Sequence, residues 1–575
     1  MNSAVLALIG LICFGLGYIF YSRFIEKKIF GLNQADTLTP AHEFRDAVDF
    51  VPTKRHILFG HHFTSIAGAA PIIGPCVAAY WGWLPAFLWV VLGTIFMGAV
   101  HDFGALVLSL KEKGRSIADI TSTVINRRAR LMFLIFVMLL TWLVLAVFAI
   151  AIADLFKEIP TSVLPINIEI ILAIIIGYLI YKKGMDSLLP SVIALGILYL
   201  FVWIGTTTPI SLETLGVAPE NVQTTWIIFL FIYSAIASLL PVWLLLQPRD
   251  FINSHQLMVG LGLIFLAIFL AQPEIDAPII RTISDPSAPP IFPMLFVTIA
   301  CGAISGFHGL VSSGTTSKQV NKFKDARFIG YGAMLGEGTL ALASTIAAIA
   351  GIALVSNCNL PSIGAVEKLS WSIYYDSWAH ATANKATAFV LGGGALLEKL
   401  WFPTTLAKTL IAVLIISFAA TTLDTATRIQ RFIISEIGTA IKFSPFKNKY
   451  IATVCAIVPA ITLALWSLPY GDGMKEAAWV LWPIFGASNQ MLAALTLLII
   501  CLYFLAERKP ILPLLIPFGF ITVITLLTLF LKAGSFFQNN LMLFVVDIVL
   551  IGLILWMLVE GMIVYRKQKT GLQTE

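Results

Sequence analysis

Three acids and four histidines stand inside or beside apolar runs of this chain: Asp102, Glu337 and Asp424, with His61, His62, His101 and His308. An ionisable group at the centre of a membrane span costs about 2.5–3.5 kcal/mol on insertion scales, so each is a suspect for moving an ion, a proton or a charged solute. Asp424 has the most suggestive company. In "AATTLDTATR" the spacings of three and four put Thr421, Asp424, Thr425 and Arg428 on one helix face, with Thr422 beside them. Three hydroxyls and a carboxylate suit a hard cation, with backbone carbonyls completing the shell. The plain alternative is a local Asp424–Arg428 ion pair.

Asp102 can carry a coupling proton with His101 tuning it, or act as a structural carboxylate tied to the basic segment 111–130. Adjacent histidines on a helix point about 100° apart, so His61 and His62 do not easily share one ligand. Each histidine, with His308, can take part in proton coupling, pair with a carboxylate solute, or hold broken backbone. Glu337, in "GAMLGEGTLAL", lies where it can face a cavity. Asn489 and Gln490 suit helix bridging, and Lys408 suits snorkelling outward. HExxH is absent and the histidines lack i, i+4 spacing, which disfavours a metal or haem enzyme. No cofactor and no metal site are expected.

The elements that would position these groups are unusual spans. "FGHHFTSIAGAAPIIGP" and "ISGFHGLVSSGTTSKQV" are apolar overall, yet carry glycines, prolines, hydroxyls and histidines. An offset of 246 aligns Gly60 with Gly306, His62 with His308 and Gly68 with Gly314. "GTIFMGA" from Gly93 and "GYGAMLG" from Gly330 echo each other weakly. Breaking a helix in hydrocarbon exposes peptide groups at several kcal/mol each unless they face a polar cavity or protein. Breaks are expected at Gly68, Gly74, Gly309 and Gly314, with Pro71 and Pro75. Ser65, Ser312, Ser313, Thr315 and Thr316 would supply hydroxyl ligands. Two interrupted, oppositely running spans half a chain apart suit an inverted-repeat secondary transporter. Small residues serving close helix packing are the competing explanation.

Composition supports a polytopic membrane protein. The 575 residues are 58% hydrophobic and only 12% charged, against about 25% in soluble domains. Mean hydropathy is +0.91. The net charge of +6 does not suggest nucleic acid. The six cysteines form no CxxC and read as buried small hydrophobes. Residues 1–22 lack a basic n-region and a cleavage site, and read as a retained helix.

At about 20 apolar residues per crossing, the spans fall near 4–22, 56–79, 84–110, 131–155, 165–181, 188–206, 225–247, 255–272, 293–317, 328–356, 402–427, 451–468, 477–505, 512–531 and 542–565, about fifteen in all. The segment 384–400 reads as a helical loop element at the surface or dipping inward. With the N-terminus outside, alternate loops place 29 Lys and Arg on the cytoplasmic side and 7 outside. Lys408 lies in a span, which accounts for all 37. The positive-inside rule therefore favours an external N-terminus and a cytoplasmic C-terminus.

Several words in the chain also resemble a known family. "GHHFTSIAGAAPIIGP", "GAVHDFGALVLSLKEKGRSI", "GAISGFHGLVSSGTT", "GYGAML", "TTLDTATRIQRF" and "LWPIFGASNQMLA" look like signature segments of the carbon starvation protein A family, in the family's order and across about residues 1–510. The resemblance implies similarity to the amino acid–polyamine–organocation superfamily. That similarity implies an all-α membrane fold with a 5+5 inverted-repeat core, two discontinuous helices and peripheral helices. It also implies that Asp424 faces the first broken helix. Residues 1–50 would be a peripheral helix and loop, 51–292 the first half of the core with extra helices, 293–510 the second repeat and 511–575 peripheral.

The implied activity is import of pyruvate or a short peptide across the cell (inner) membrane, with a proton or sodium ion as partner and membrane lipid as surroundings. The family pattern "VQDF" appears here as Val100-His101-Asp102-Phe103, and the chain is shorter than the long family members. A P-loop is absent, so an ion gradient would supply the energy. A nutrient-sensing receptor is the rival reading. Oligomeric state is open.

Overall fold

A computed structural model describes residues 2–32, 38–186, 188–282, 285–286, 288–360, 364–383, 386–470 and 473–570. The chain is mostly helical. Among the described residues, twelve helices are long and apolar enough to cross a membrane, and the pair Arg55–Ala67 and Ala70–Trp81, bent by 46°, makes a thirteenth candidate. The expected spans near 293–317 and 451–468 are a run of three short helices and the 17-residue helix Lys449–Leu465.

Two departures from an all-helical chain appear. Ser356–Leu360 pairs antiparallel with Gly364–Lys368, and Ser467–Tyr470 with Gly473–Glu476. The 384–400 segment, whose first two positions lie outside the described residues, forms the buried helix Thr387–Glu398. It dips inward because it has glycines to spare: a Cβ on Gly392 would overlap the Ala347 carbonyl.

The first break falls at Gly68. Helix Arg55–Ala67 ends there, at φ +34°, a conformation costly for a side-chain-bearing residue. Helix Ala70–Ala78 restarts with Pro71 in its first turn, where the missing N–H is no loss. At the far end of that second helix, Tyr375 donates to the Cys76 carbonyl (2.7 Å) and Trp371 Nε1 to the Ala79 carbonyl (2.9 Å).

The second span breaks twice before its expected positions. Ile291–Thr298 stops at Ile299, Ala300–Ala303 follows, and Ile304 and Ser305 are extended before helix Gly306–Gly314. Gly309 lies inside that helix and is not a break, whereas Gly314 is its last residue and the helix ends there, with Thr315 non-helical. The cause sits on helix Ala477–Ala506: Asn489 Oδ1 accepts the Phe307 N–H at 3.1 Å and caps the new helix. Thr94 Oγ1 donates to the Gly302 carbonyl at 3.1 Å.

Gly74 is not a break either. It lies inside its helix, and a Cβ there would meet the Thr298 carbonyl at 2.5 Å, so the two interrupted spans press together at that point. From Gly68 to Ser305 is 237 residues, not 246. That is also the distance from Gly93 to Gly330, so the weaker sequence echo carries the spacing of the breaks.

Past the second span the chain returns to the start of the first. Thr53 bridges Val320 in parallel, with the Thr53 N–H donating to the Gln319 carbonyl at 3.0 Å. Gln247 Nε2 donates to both Thr53 Oγ1 (3.0 Å) and Gln319 Oε1 (2.5 Å).

Candidate functional site

Four groups of buried polar side chains surround the breaks. In the first group, His61 Nδ1 is hydrogen-bonded to Asp250 of helix Leu246–Ala271. Ser65 Oγ donates to the same carboxylate at 3.4 Å and lies 3.4 Å from Thr425 Oγ1. Thr422 Oγ1 donates to the Ser65 carbonyl at 3.4 Å, and a Cβ on Gly68 would meet that hydroxyl at 3.1 Å. The Thr404–Ala440 helix therefore lies against the first break, as the resemblance implied, but through Thr422 and Thr425.

The second group joins the two spans. His62 Nδ1 lies 2.9 Å from Thr316 Oγ1, just past the end of helix Gly306–Gly314. His61 and His62 do point to different partners.

The third group is a row of titratable side chains. His101 Nδ1 is 2.7 Å from Asp102 Oδ1, and His308 Nδ1 is 2.9 Å from Asp102 Oδ2. On its other side His308 Nε2 is 3.2 Å from Glu337 Oε2. All four are at most 1% exposed. Asp102 is thus bound to imidazoles rather than to the basic loop, where Arg115 and Arg130 pair with Asp119 instead. Glu337 faces His308, not an open cavity.

The fourth group corrects both readings of Asp424. Its carboxylate is neither at the break nor paired with Arg428. Asp424 Oδ2 accepts from Arg249 NH1 (2.5 Å) and from Tyr233 OH (2.7 Å). Arg249 Nε donates to Glu169 Oε1 at 3.0 Å, and Ser417 donates to Glu169 Oε2 at 2.6 Å. Thr421 pairs with Asn253 Nδ2 at 2.9 Å. Arg428 turns to Asp49 at 3.1 Å. A guanidinium offers a planar fork to two carboxylates, and here it takes up the Asp424 carboxylate that the hydroxyl shell would have shared.

The remaining hydroxyls divide. Ser313 and Thr315 bond the Gly309 and Val311 carbonyls of their own helix. Ser312 is buried with its hydroxyl unpartnered. Gly314 faces only Ile429, at 3.6 Å. The breaks are closed over by protein in this conformation. Two surface cavities, one beside Lys111 and Tyr503 and one beside Tyr18 and Arg55, are lined by other residues.

Arg249, Asp250, Glu169 and Tyr233 escaped the sequence reading. The first two fall between the spans expected at 225–247 and 255–272, but helix Leu246–Ala271 begins before them and buries both. The clue was "QPRDF": a proline suited to a first helical turn, followed by charges. Glu169, an acid within the apolar run 165–181, satisfied the same criterion as Asp424.

The chain is similar to known proteins. Residues 2–528 match the family described as carbon starvation protein CstA. A relative from Escherichia coli, named pyruvate/proton symporter BtsT, is 32% identical over 84% of this chain and 75% of its own length. Another, from Campylobacter jejuni and named peptide transporter CstA, is 30% identical over 86% of this chain and 75% of its own. Among solved structures, a manganese transporter from Eremococcus coleocola covers 90% of this chain and 99% of its own, at 12% identity and a TM-score of 0.46.

Proposed function

This chain belongs to the carbon starvation protein CstA family, a multi-pass membrane family of transporters, and on that premise we propose that it imports a small carboxylate, with pyruvate favoured, by proton symport. The observation that carries the reading is the meeting of two interrupted spans at a buried His62–Thr316 hydrogen bond, beside a row of titratable groups. Peptide groups released from helices bind ions and polar solutes where they face one another. His62, Ser65, Ser312, Thr316 and the backbone around Gly68 and Ser305 hold the solute. His101, Asp102, His308 and Glu337 hold and pass the proton, which imidazoles and carboxylates can exchange at hydrogen-bond distance.

The equal 237-residue spacing of the breaks and of the Gly93 and Gly330 segments supports a repeated core, with residues 51–292 and 293–510 as its halves. The loop charges support an external N-terminus in the inner membrane, with fifteen crossings. A dipeptide is the second candidate solute, favoured by the peptide transporter name of the Campylobacter jejuni relative.

The test is uptake of labelled pyruvate and of a labelled dipeptide into proteoliposomes, under an imposed proton or sodium gradient. The expected result is pyruvate accumulation driven by protons. Binding without accumulation under either gradient would overturn transport in favour of a receptor.

A further inference from the structure

Arg249 is fully buried and faces two carboxylates at once, Glu169 and Asp424. With both acids ionised, this cluster carries one surplus negative charge. A surplus buried charge costs several kcal/mol, so the cluster readily takes up a proton. Four atoms here have no hydrogen-bond partner: Arg249 NH2, Asp424 Oδ1, Asn253 Oδ1 and Asp250 Oδ1. The cluster also borders the first break on two sides. Asp250, next to Arg249, holds His61 and Ser65; Thr425, next to Asp424, lies 3.4 Å from Ser65 Oγ.

We propose that Arg249 anchors the carboxylate of the transported solute, and that a proton on Asp424 opens the guanidinium to receive it. The inference rests on the carboxylate-symport reading above and names the residue that would recognise the solute. A proton taken at Asp424 Oδ1 turns the ion pair with Arg249 into a neutral contact. NH1 then loses its anionic partner, and with the unpartnered NH2 it presents two parallel N–H donors, the geometry a carboxylate takes up bidentately. The solute's charge replaces that of Asp424, so proton and carboxylate enter together and the cluster keeps its net charge. Tyr233 OH, bonded to both Asp424 and Arg249, holds the two in line during the exchange.

Tyr233 and Arg249 contact Asp424, Glu169 lies beyond Arg249, and Asp250 lies near with His61 bonded to it. Arg428 on its own helix is drawn off by Asp49.

The test uses the full chain in proteoliposomes and counterflow of labelled pyruvate and labelled alanyl-alanine. The wild type should show a half-saturation concentration that rises with pH, because the protonated acid is needed. R249K keeps a cation between Glu169 and Asp424, so the bundle stays assembled, but it loses the fork. Its half-saturation should rise about tenfold with a smaller change in maximal rate. D424N should abolish the dependence of half-saturation on pH. Alanyl-alanine amide, which lacks the carboxylate, should not compete.

R249K with unchanged half-saturation, or D424N with its pH dependence intact, overturns the assignment of Arg249 and leaves carboxylate transport standing. A wild type that exchanges neither solute overturns both. A merely structural Arg249 would lower the amount of folded protein without removing the pH dependence in D424N.

Discussion

His62 Nδ1 lies 2.9 Å from Thr316 Oγ1, and this hydrogen bond joins the first interrupted span to the end of the second. Both groups are buried, so the bond is made in a setting where an unpaired donor or acceptor costs about 1–3 kcal/mol. It holds the closed arrangement as long as the two spans stay together.

T316V removes the hydroxyl and keeps the shape. The closed arrangement should weaken by about 1 kcal/mol, several-fold in population. With the six native cysteines replaced, a cysteine at Ser312 should then react faster with a membrane-impermeant maleimide than it does beside Thr316. An unchanged labelling rate would mean the bond does not hold the closed state.

Asp102 lies between two imidazoles, so D102N removes the only carboxylate that bonds both His101 and His308. Proton-driven accumulation of pyruvate should be lost. Exchange of labelled for unlabelled pyruvate, which moves no net proton, should persist at a measurable rate. Accumulation that survives in D102N would remove this row of groups from the coupling path.

Gly74 and Gly314 offer a matched pair. G74A pushes a methyl against the Thr298 backbone, while G314A meets only Ile429 at 3.6 Å. Overpacking of this kind costs about 1–3 kcal/mol. The melting temperature in detergent should fall for G74A and stay near wild type for G314A. Equal melting temperatures would argue against the close approach of the two spans.

Outside the membrane, Asp46 Oδ1 accepts the N–H groups of Val48, Asp49 and Phe50 at 2.8–2.9 Å. Partial burial pushes its pKa up, but these donors outweigh burial and hold it below the usual 3.8. A carboxylate depressed on folding stabilises above its unfolded pKa, and that stability is lost as pH falls through the folded value. The 46–50 turn, which carries Asp49 to Arg428, should resist proteolysis at neutral pH and open only below about 3.8. D46A should be cut at neutral pH, and a turn that resists cutting in D46A would refute this.

The membrane class, the long spans and the presence of two interrupted helices were legible because hydropathy and helix-breaking residues act locally. The positions of the second set of breaks were not. Gly309 looks like a breaker in "GFHGLVSSG" but is helical; the chain parts upstream at Ile304–Ser305, where Asn489, more than 180 residues away, supplies the cap. Partnership of charges was equally hidden. Asp424 and Arg428 share a helix face, yet each binds a residue on a distant segment, Arg249 and Asp49. Periodicity reports which residues share a face, not what that face meets. Arg249 and Asp250 were lost to an error of a few residues in one helix boundary.

The parallel bridge between Thr53 and Val320 is made by main-chain atoms, with the Thr53 N–H as donor. A join of that kind does not depend on which side chain stands at the position; at residue 53 only proline would delete the donor. Neighbouring side chains can then change their chemistry while the two spans stay tied at this point, so attachment and recognition can evolve as separate traits.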